Sequence, residues 1–88
     1  MSAYTVEFTG AAAKQLRKLD SGIRRRIQTS LAALRVDPRP AGVKKLAGTN
    51  DSWRIRIGGY RAIYEIEDDV LVVPVVTVGH RREVYQKR

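Results

Sequence analysis

With 88 residues, no cysteine and a single histidine, the chain is long enough for one small domain over residues 1–88 but can form neither a disulfide nor a histidine-rich metal site. Seventeen lysine and arginine residues against nine acidic ones give a net charge of +8, which indicates a polyanionic or acidic partner. The start MSAYTVEF lacks a signal-peptide pattern, and no apolar run approaches the ~20 residues of a membrane span. We therefore expect a cytoplasmic protein that uses no membrane, no metal and no small-molecule cofactor.

The first half of the chain predicts one strand and two helices. Residues 3–8 alternate apolar and polar side chains, which is typical of a strand. Thr9 is a suitable N-cap for the alanine-rich helix that follows up to Asp20, and Ser21 for a second helix that ends before Pro38. The second helix carries an apolar stripe at helical spacing: Ile23, Ile27, Leu31 and Leu34. Since the connection is short, the two helices should form an antiparallel hairpin packed on a sheet.

The last third of the chain predicts three antiparallel strands, at residues 52–57, 60–67 and 70–78. The intervening dipeptides, Gly58-Gly59 and Asp68-Asp69, suit tight hairpin turns. The last strand is apolar at almost every position, so we expect it to be central and covered on both faces, with a bulge or a gap in pairing at Pro74. The basic tail from residue 80 should be helical or irregular. The fold class is therefore α+β, in the order β-α-α-β-β-β, with a helical hairpin on one face of a four-stranded, mostly antiparallel sheet.

The first hairpin places arginines side by side. With a two-residue turn at Gly58-Gly59, Arg56 faces Arg61 across the hairpin, and Arg54 lies on the same face. The apolar residues share the other face, which suits the helices: Trp53, Ile55, Ile57, Tyr60, Ala62 and Tyr64. Like charges directly opposite each other destabilise a sheet by a few tenths of a kcal/mol or more, so this arrangement favours an anionic ligand.

Other charged residues extend or balance this face. Arg81 follows the last strand and Tyr85 lies four residues further on, and guanidinium groups beside an aromatic ring suit phosphate binding and base stacking. Glu65 and Glu67 share the arginine face, so a simple charged surface is the alternative interpretation. A further arginine run at 24–26 lies off the apolar stripe of the second helix. A solvated face is the simpler interpretation there, although the helix N-terminus would attract an anion.

The side chains also limit the chemistry. The sequence has no Walker loop, no carboxylate-rich metal site and no evident Ser/His/Asp or Cys/His pair. What remains is metal-free cleavage of an RNA phosphodiester, in which the 2′-hydroxyl is an internal nucleophile. The protein need only align it, stabilise charge on the phosphorus and assist proton transfer. Arginines can do the first two, but they hold their proton too tightly to be good general bases.

The order of elements and three segments resemble the RelE branch of the RelE/ParE superfamily, the toxins of type II toxin–antitoxin pairs. The segments are KKLAG at 44–48, WRIRIGGYRAIYEI at 53–66 and VGHRREVY at 78–85, and the likeness runs from about Tyr4 to Tyr85. The resemblance implies a ribosome-dependent mRNA endonuclease that enters the A site and cuts the codon there. It also implies a cognate acidic antitoxin, in a heterodimer or heterotetramer, that silences the toxin.

The resemblance assigns roles to individual residues. Arg54 and Arg56 correspond to two basic strand positions that are commonly lysine, and Arg61 corresponds to the arginine that stabilises the transition state. Arg81 corresponds to a basic residue near the leaving 5′-oxygen, and Tyr85 to a tyrosine that orients the substrate or stacks on it. These five residues are the expected catalytic set.

Arginine in place of lysine at position 54 weakens the case for a side-chain base there. His80 could compensate, because imidazole is the side chain best suited to exchange a proton near neutral pH, or it could make a structural hydrogen bond at the strand end. Lys44 and Lys45 are expected to contact backbone phosphate. Two other functions remain open: inhibition of DNA gyrase, as in the ParE branch, and RNA binding without catalysis.

Overall fold

The computed structural model describes residues 3–46 and 52–80, in which two helices pack on one face of a mixed sheet. The elements are β1 (Thr5–Phe8), α1 (Gly10–Arg17), α2 (Ser21–Ala32), a 3₁₀ turn (Ala33–Arg35), β2 (Lys44–Lys45), β3 (Ser52–Ile57), β4 (Tyr60–Glu65) and β5 (Val72–His80). The strand order is β1-β5-β4-β3-β2, with β1 parallel to β5 and the other pairs antiparallel. The α+β class is confirmed, and the two-residue β2 makes the sheet five-stranded rather than four-stranded.

The helices begin where short polar residues precede them. The predicted cap of α1 is confirmed, since the Ala12 N–H donates to Thr9 Oγ1 at 3.2 Å. The predicted cap of α2 is wrong: the N-cap is Asp20, which makes no side-chain capping bond, and Ser21 is the first helical residue. The predicted apolar stripe packs into the core: Ile27 and Leu31 of α2 and Leu34 of the 3₁₀ turn are 0%, 1% and 0% exposed, and Ile23 is half-buried. Among the described residues no helix has the length and apolar character needed to cross a bilayer.

Strand β1 is shorter than predicted because Tyr4, near its predicted start, hydrogen-bonds to another part of the chain. The Tyr4 N–H donates to the Arg35 carbonyl at 2.8 Å, so pairing with β5 starts only at Thr5, opposite Val72. It ends at Phe8, opposite Val75. From that point one edge of β5 has no neighbouring strand within residues 3–46 and 52–80.

The N-cap of α1 and a side chain further along that helix cover this edge of β5. The Thr9 hydroxyl donates to the Val76 carbonyl at 3.5 Å, and the Val78 N–H donates to Gln15 Oε1 at 2.8 Å. The sheet is irregular at the same place, as expected near Pro74: the β4–β5 register shifts between Ile63 and Tyr64. Side chains of the helical layer therefore satisfy backbone groups that the shortened strand cannot reach.

We expect Gln15→Leu to lower the free energy of unfolding by about 1–3 kcal/mol, because it leaves the partly buried Val78 N–H without its acceptor. Gln28→Leu is the matched control, since the Gln28 side chain is exposed and makes no hydrogen bond within residues 3–46 and 52–80. Its effect should stay within about 0.5 kcal/mol. Chemical denaturation of both variants measures the difference, and equal effects would contradict the assignment.

Two predictions for the C-terminal strand need correction. The strand is central, but only its helix-facing side chains are buried, for example Val73 and Val75, whereas Val72, Pro74 and Val76 on the other side are half-buried. It is therefore not fully covered on both faces. It also starts at Val72 and continues through His80 rather than spanning 70–78, so His80 belongs to the strand and not to the tail.

The turn between β4 and β5 is wider than the predicted two-residue Asp68-Asp69 turn. Reciprocal backbone hydrogen bonds between Glu67 and Val72, at 2.8 and 3.1 Å, close a loop that includes Leu71 at φ +58°. The width has a tertiary cause, because Asp68 is turned toward other parts of the chain. Its carboxylate accepts from the Tyr4 hydroxyl at 2.6 Å and from Arg39 Nη2 at 2.9 Å.

Candidate functional site

The β3–β4 hairpin brings the arginines together in the predicted register. Gly58 occupies the left-handed region at φ +61°, which allows the two-residue turn. Ile57 then pairs with Tyr60, and Arg56 pairs with Arg61. Arg54, two residues before Arg56 on the same strand, pairs with Ile63. Because paired residues share a face and faces alternate along a strand, Arg54, Arg56 and Arg61 lie on the side opposite the helices. We call these three residues the arginine patch.

The three arginines differ in depth. Arg56 is exposed and Arg54 half-buried, whereas Arg61 is only 8% exposed and is the only buried charged residue in the described part of the chain. Arg61 lies on the inner strand β4, between Arg56 on β3 and Gly79 on β5, and glycine adds no side chain to that side. Charge interactions strengthen as water is excluded, so an anion placed over Arg61 would be attracted more strongly there than over an exposed arginine.

The short strand β2 extends the patch by one lysine. Lys44 pairs with Arg54 and therefore shares its face, whereas Lys45 pairs with Trp53 and is directed to the other face. Both lysines are exposed. The structure thus brings Lys44, and not Lys45, into line with the arginines.

His80 lies on the other side of the sheet from the arginine patch. It pairs with Tyr60, next to the Arg61–Gly79 pair, so it is directed to the helix-facing side. Its imidazole stands edge-on to the Tyr60 ring, with centroids 5.6 Å apart. The structure therefore separates His80 from Arg61 by the thickness of the sheet. Arg81 and Tyr85 fall outside the described residues.

A polar cluster that sequence patterns did not indicate lies at the far end of the sheet. Arg39 forms an ion pair with Asp68 at 2.9 Å, and its guanidinium lies 5.5 Å from the centre of the Trp53 ring. The Arg39 guanidinium, followed by the Tyr4 hydroxyl, holds the pKa of Asp68 below its usual value, and the hydrogen bond to Asp68 raises the pKa of Tyr4. Since the ion pair is solvent-exposed, we expect it to orient the loop before β2 more than to stabilise the fold. The partners are far apart in the sequence and form no local motif that could have indicated them.

Comparison with known proteins places the chain in a family. Residues 6–85 match the family described as the ParE toxin of the type II toxin–antitoxin system parDE. The chain is also 36% identical to the mRNA interferase toxin RelE of Escherichia coli strain K12, over 97% of this chain and 93% of the relative. The chain belongs to the RelE/ParE superfamily of type II toxins. The RelE relative places it on the RelE branch.

Solved structures of RelE toxins share this architecture. The intact RelBE toxin–antitoxin complex of E. coli contains a chain with a TM-score of 0.78 and 36% identity, covering 89% of this chain and 96% of that one. The archaeal RelE–RelB complex from Pyrococcus horikoshii OT3 gives a TM-score of 0.79 at 30% identity, covering 92% and 97%. In both cases the similar RelE toxin was solved together with its RelB antitoxin.

Proposed function

We propose that this RelE-branch toxin is an mRNA interferase that cuts mRNA on the ribosome, at the codon in the A site, without a metal ion. The observation that carries the proposal is the cross-strand pair of Arg56 and Arg61, with Arg61 buried and Arg56 exposed beside it. Two guanidinium groups directly opposite each other destabilise a sheet by their repulsion, and a phosphate bound over the pair offsets that repulsion. The name and close similarity of the E. coli relative support a phosphodiester as that anion.

In the proposed reaction the 2′-oxygen attacks the adjacent phosphorus while the bond from phosphorus to the 5′-oxygen breaks. The products are a 2′,3′-cyclic phosphate and a 5′-hydroxyl, and one proton passes from the 2′-oxygen to the 5′-oxygen. Arg61 neutralises the charge that develops on the phosphoryl oxygens, and Arg54 and Arg56 hold the phosphate in line. We assign Arg81 to the leaving 5′-oxygen and Tyr85 to stacking on the substrate base.

The remaining basic residues are assigned to RNA binding. Lys44 continues the arginine patch along the face that would contact the backbone, and Lys45 is exposed on the same short strand. His80 lies across the sheet from Arg61, which favours a binding role beside the hairpin over the role of general base at the scissile phosphate. The proposed partners are the ribosome with its mRNA, in the cytoplasm, and an acidic antitoxin that complements the net charge of +8.

Primer extension on mRNA from programmed ribosomes tests the proposal. The expected result is a set of cuts in phase with the A-site codon, with cyclic phosphate and 5′-hydroxyl ends. A 2′-deoxy substitution at the nucleotide that carries the attacking oxygen should abolish the cut, because it removes the nucleophile. Cleavage that survives this substitution would refute attack by the 2′-hydroxyl.

A ParE-like function is the second candidate, because the matched family is described as the ParE toxin. It predicts inhibition of supercoiling by DNA gyrase, with DNA damage and no mRNA cuts. The arginine patch has no evident use in that function, which favours the RNase. RNA binding without cleavage on programmed ribosomes would instead indicate a non-catalytic RNA-binding protein.

A further inference from the structure

A second basic surface lies around the edge of the sheet from the arginine patch. Strand β2 pairs with the start of β3, and among residues 3–46 and 52–80 no strand pairs with the outer edge of its end, which faces α2. Between them is a groove of about 560 Å³ whose lining includes Arg25, Arg26 and Arg56 together with the hydroxyl residues Thr29 and Ser30. None of the described residues that line it is acidic.

Of the three consecutive arginines of α2, Arg24 has a structural role, and Arg25 and Arg26 face this groove. Arg24 is half-buried, and its Nη1 donates to the carbonyl oxygens of Arg17 and Leu19, both at 3.4 Å. These hydrogen bonds connect α2 to the end of α1. The side chains of Arg25 and Arg26 are exposed and make no hydrogen bond or ion pair to any residue in the described ranges, and the same holds for the side chain of Arg56. Three guanidinium groups therefore point at one groove with their donors uncommitted.

The groove is continuous with the proposed catalytic face. Arg56 is common to both, since it pairs with Arg61 on the patch and also lines the groove. Arg26 lies across the hairpin turn, with its Nη2 only 3.2 Å from where a Cβ of Gly58 would stand. An anionic chain that crosses the patch at Arg61 would thus meet Arg56 next and then Arg26.

We propose that this groove binds a phosphodiester segment of RNA outside the codon that is cut. The inference rests on the proposed function, because it extends the RNA path away from the scissile phosphate. Guanidinium forks and hydroxyl donors suit phosphate oxygens, and several phosphates in series match several arginines in series. A protein segment would need an apolar anchor, and this groove offers little besides Ile57. The apolar groove between β1 and α2, lined by Val6, Phe8 and Leu31, is the better site for a protein.

The double variant Arg25→Gln/Arg26→Gln tests the groove, with Lys14→Gln/Arg17→Gln as the matched control. Lys14 and Arg17 are also exposed and lie outside the groove, so the control removes the same charge from the same helical layer. We expect the groove variant to raise KM for cleavage on programmed ribosomes by about tenfold with kcat unchanged. The slope of log affinity against log salt should also fall by roughly 1.4–1.8, the value for two lost phosphate contacts. The control should change KM by no more than about twofold and leave the slope against salt unchanged. Thermal melts of both variants should coincide.

Separate binding measurements with an mRNA oligonucleotide and with empty ribosomes identify which RNA supplies the phosphates. Because binding is measured independently of cleavage, the groove is tested even if the wild-type protein cuts no RNA. That outcome would refute the proposed function but not the groove. Equal losses in the groove variant and the control would overturn the groove proposal. So would a fall in kcat at unchanged KM, or a loss of antitoxin affinity with RNA binding intact, which would assign the groove to the protein partner.

Discussion

Replacing Arg61 with methionine is expected to slow mRNA cleavage on programmed ribosomes by about 10²- to 10³-fold, the loss typical of removing one preorganised group that stabilises transition-state charge. Arg61 is only 8% exposed and lies on an inner strand, so its position is set before the substrate arrives. Methionine keeps the unbranched shape and fills the volume while removing the charge. Single-turnover cleavage measures the effect on the chemical step.

Two further variants separate charge, geometry and folding. Arg61→Lys retains a positive charge but loses the planar fork, so its activity should lie between those of the wild type and Arg61→Met. Arg17→Met removes an exposed arginine from α1, away from the patch, and should leave cleavage within about twofold. Melting curves and antitoxin binding establish that each variant is folded. Undiminished cleavage by a folded Arg61→Met protein would refute the assigned role.

A large loss of stability is expected from Tyr64→Phe. The Tyr64 side chain is fully buried, and its hydroxyl donates to the Pro38 carbonyl at 2.7 Å. Removal of the hydroxyl leaves that buried carbonyl without this donor, which should cost about 2 kcal/mol and lower Tm by roughly 8–16 °C. Tyr60→Phe is the control, since the Tyr60 hydroxyl makes no hydrogen bond within the described residues and its loss should change Tm by no more than a few degrees.

Tyr64 also gives the fold a dependence on alkaline pH. Burial raises the pKa of Tyr64 to about 12, with the Arg39 guanidinium opposing the shift and the Asp37 carboxylate adding to it. The folded pKa exceeds the unfolded value of about 10, so the folded state favours the protonated phenol. The stabilisation, on the order of 2–3 kcal/mol, is fully present below pH ~10 and is lost as the pH rises toward 12. Denaturation at several pH values should show a smaller alkaline loss in Tyr64→Phe, and an equal loss would contradict this origin.

Patterns that are local in the sequence predicted the secondary structure and the first hairpin. Alternation along 53–64 and the glycine pair at 58–59 were sufficient for the register that sets Arg56 opposite Arg61, because strand period and turn length determine pairing across a short hairpin. The stripe of Ile23, Ile27, Leu31 and Leu34 likewise predicted the inward face of α2 and the 3₁₀ turn, on which the last three are buried and Ile23 is half-buried. Contacts between residues that are far apart in the sequence were harder to predict. The fifth strand adds only two residues, and the β4–β5 turn was misjudged because Asp68 is held by Tyr4 and Arg39.

The sequence by itself determined which face of the hairpin is basic, since alternation and turn chemistry are properties of neighbouring residues. Only the tertiary structure decided how deep each basic residue lies and what stands beside it. Arg61 is buried because its strand lies between two others, and His80 faces away from it because a register shift between β4 and β5 sets the parity of the last strand. The groove of Arg25, Arg26 and Arg56 likewise exists only because α2 crosses the open edge of β3. The burial of Arg61, the face to which His80 is directed and the meeting of the three groove arginines all depend on contacts between distant segments. No local sequence pattern encodes such contacts.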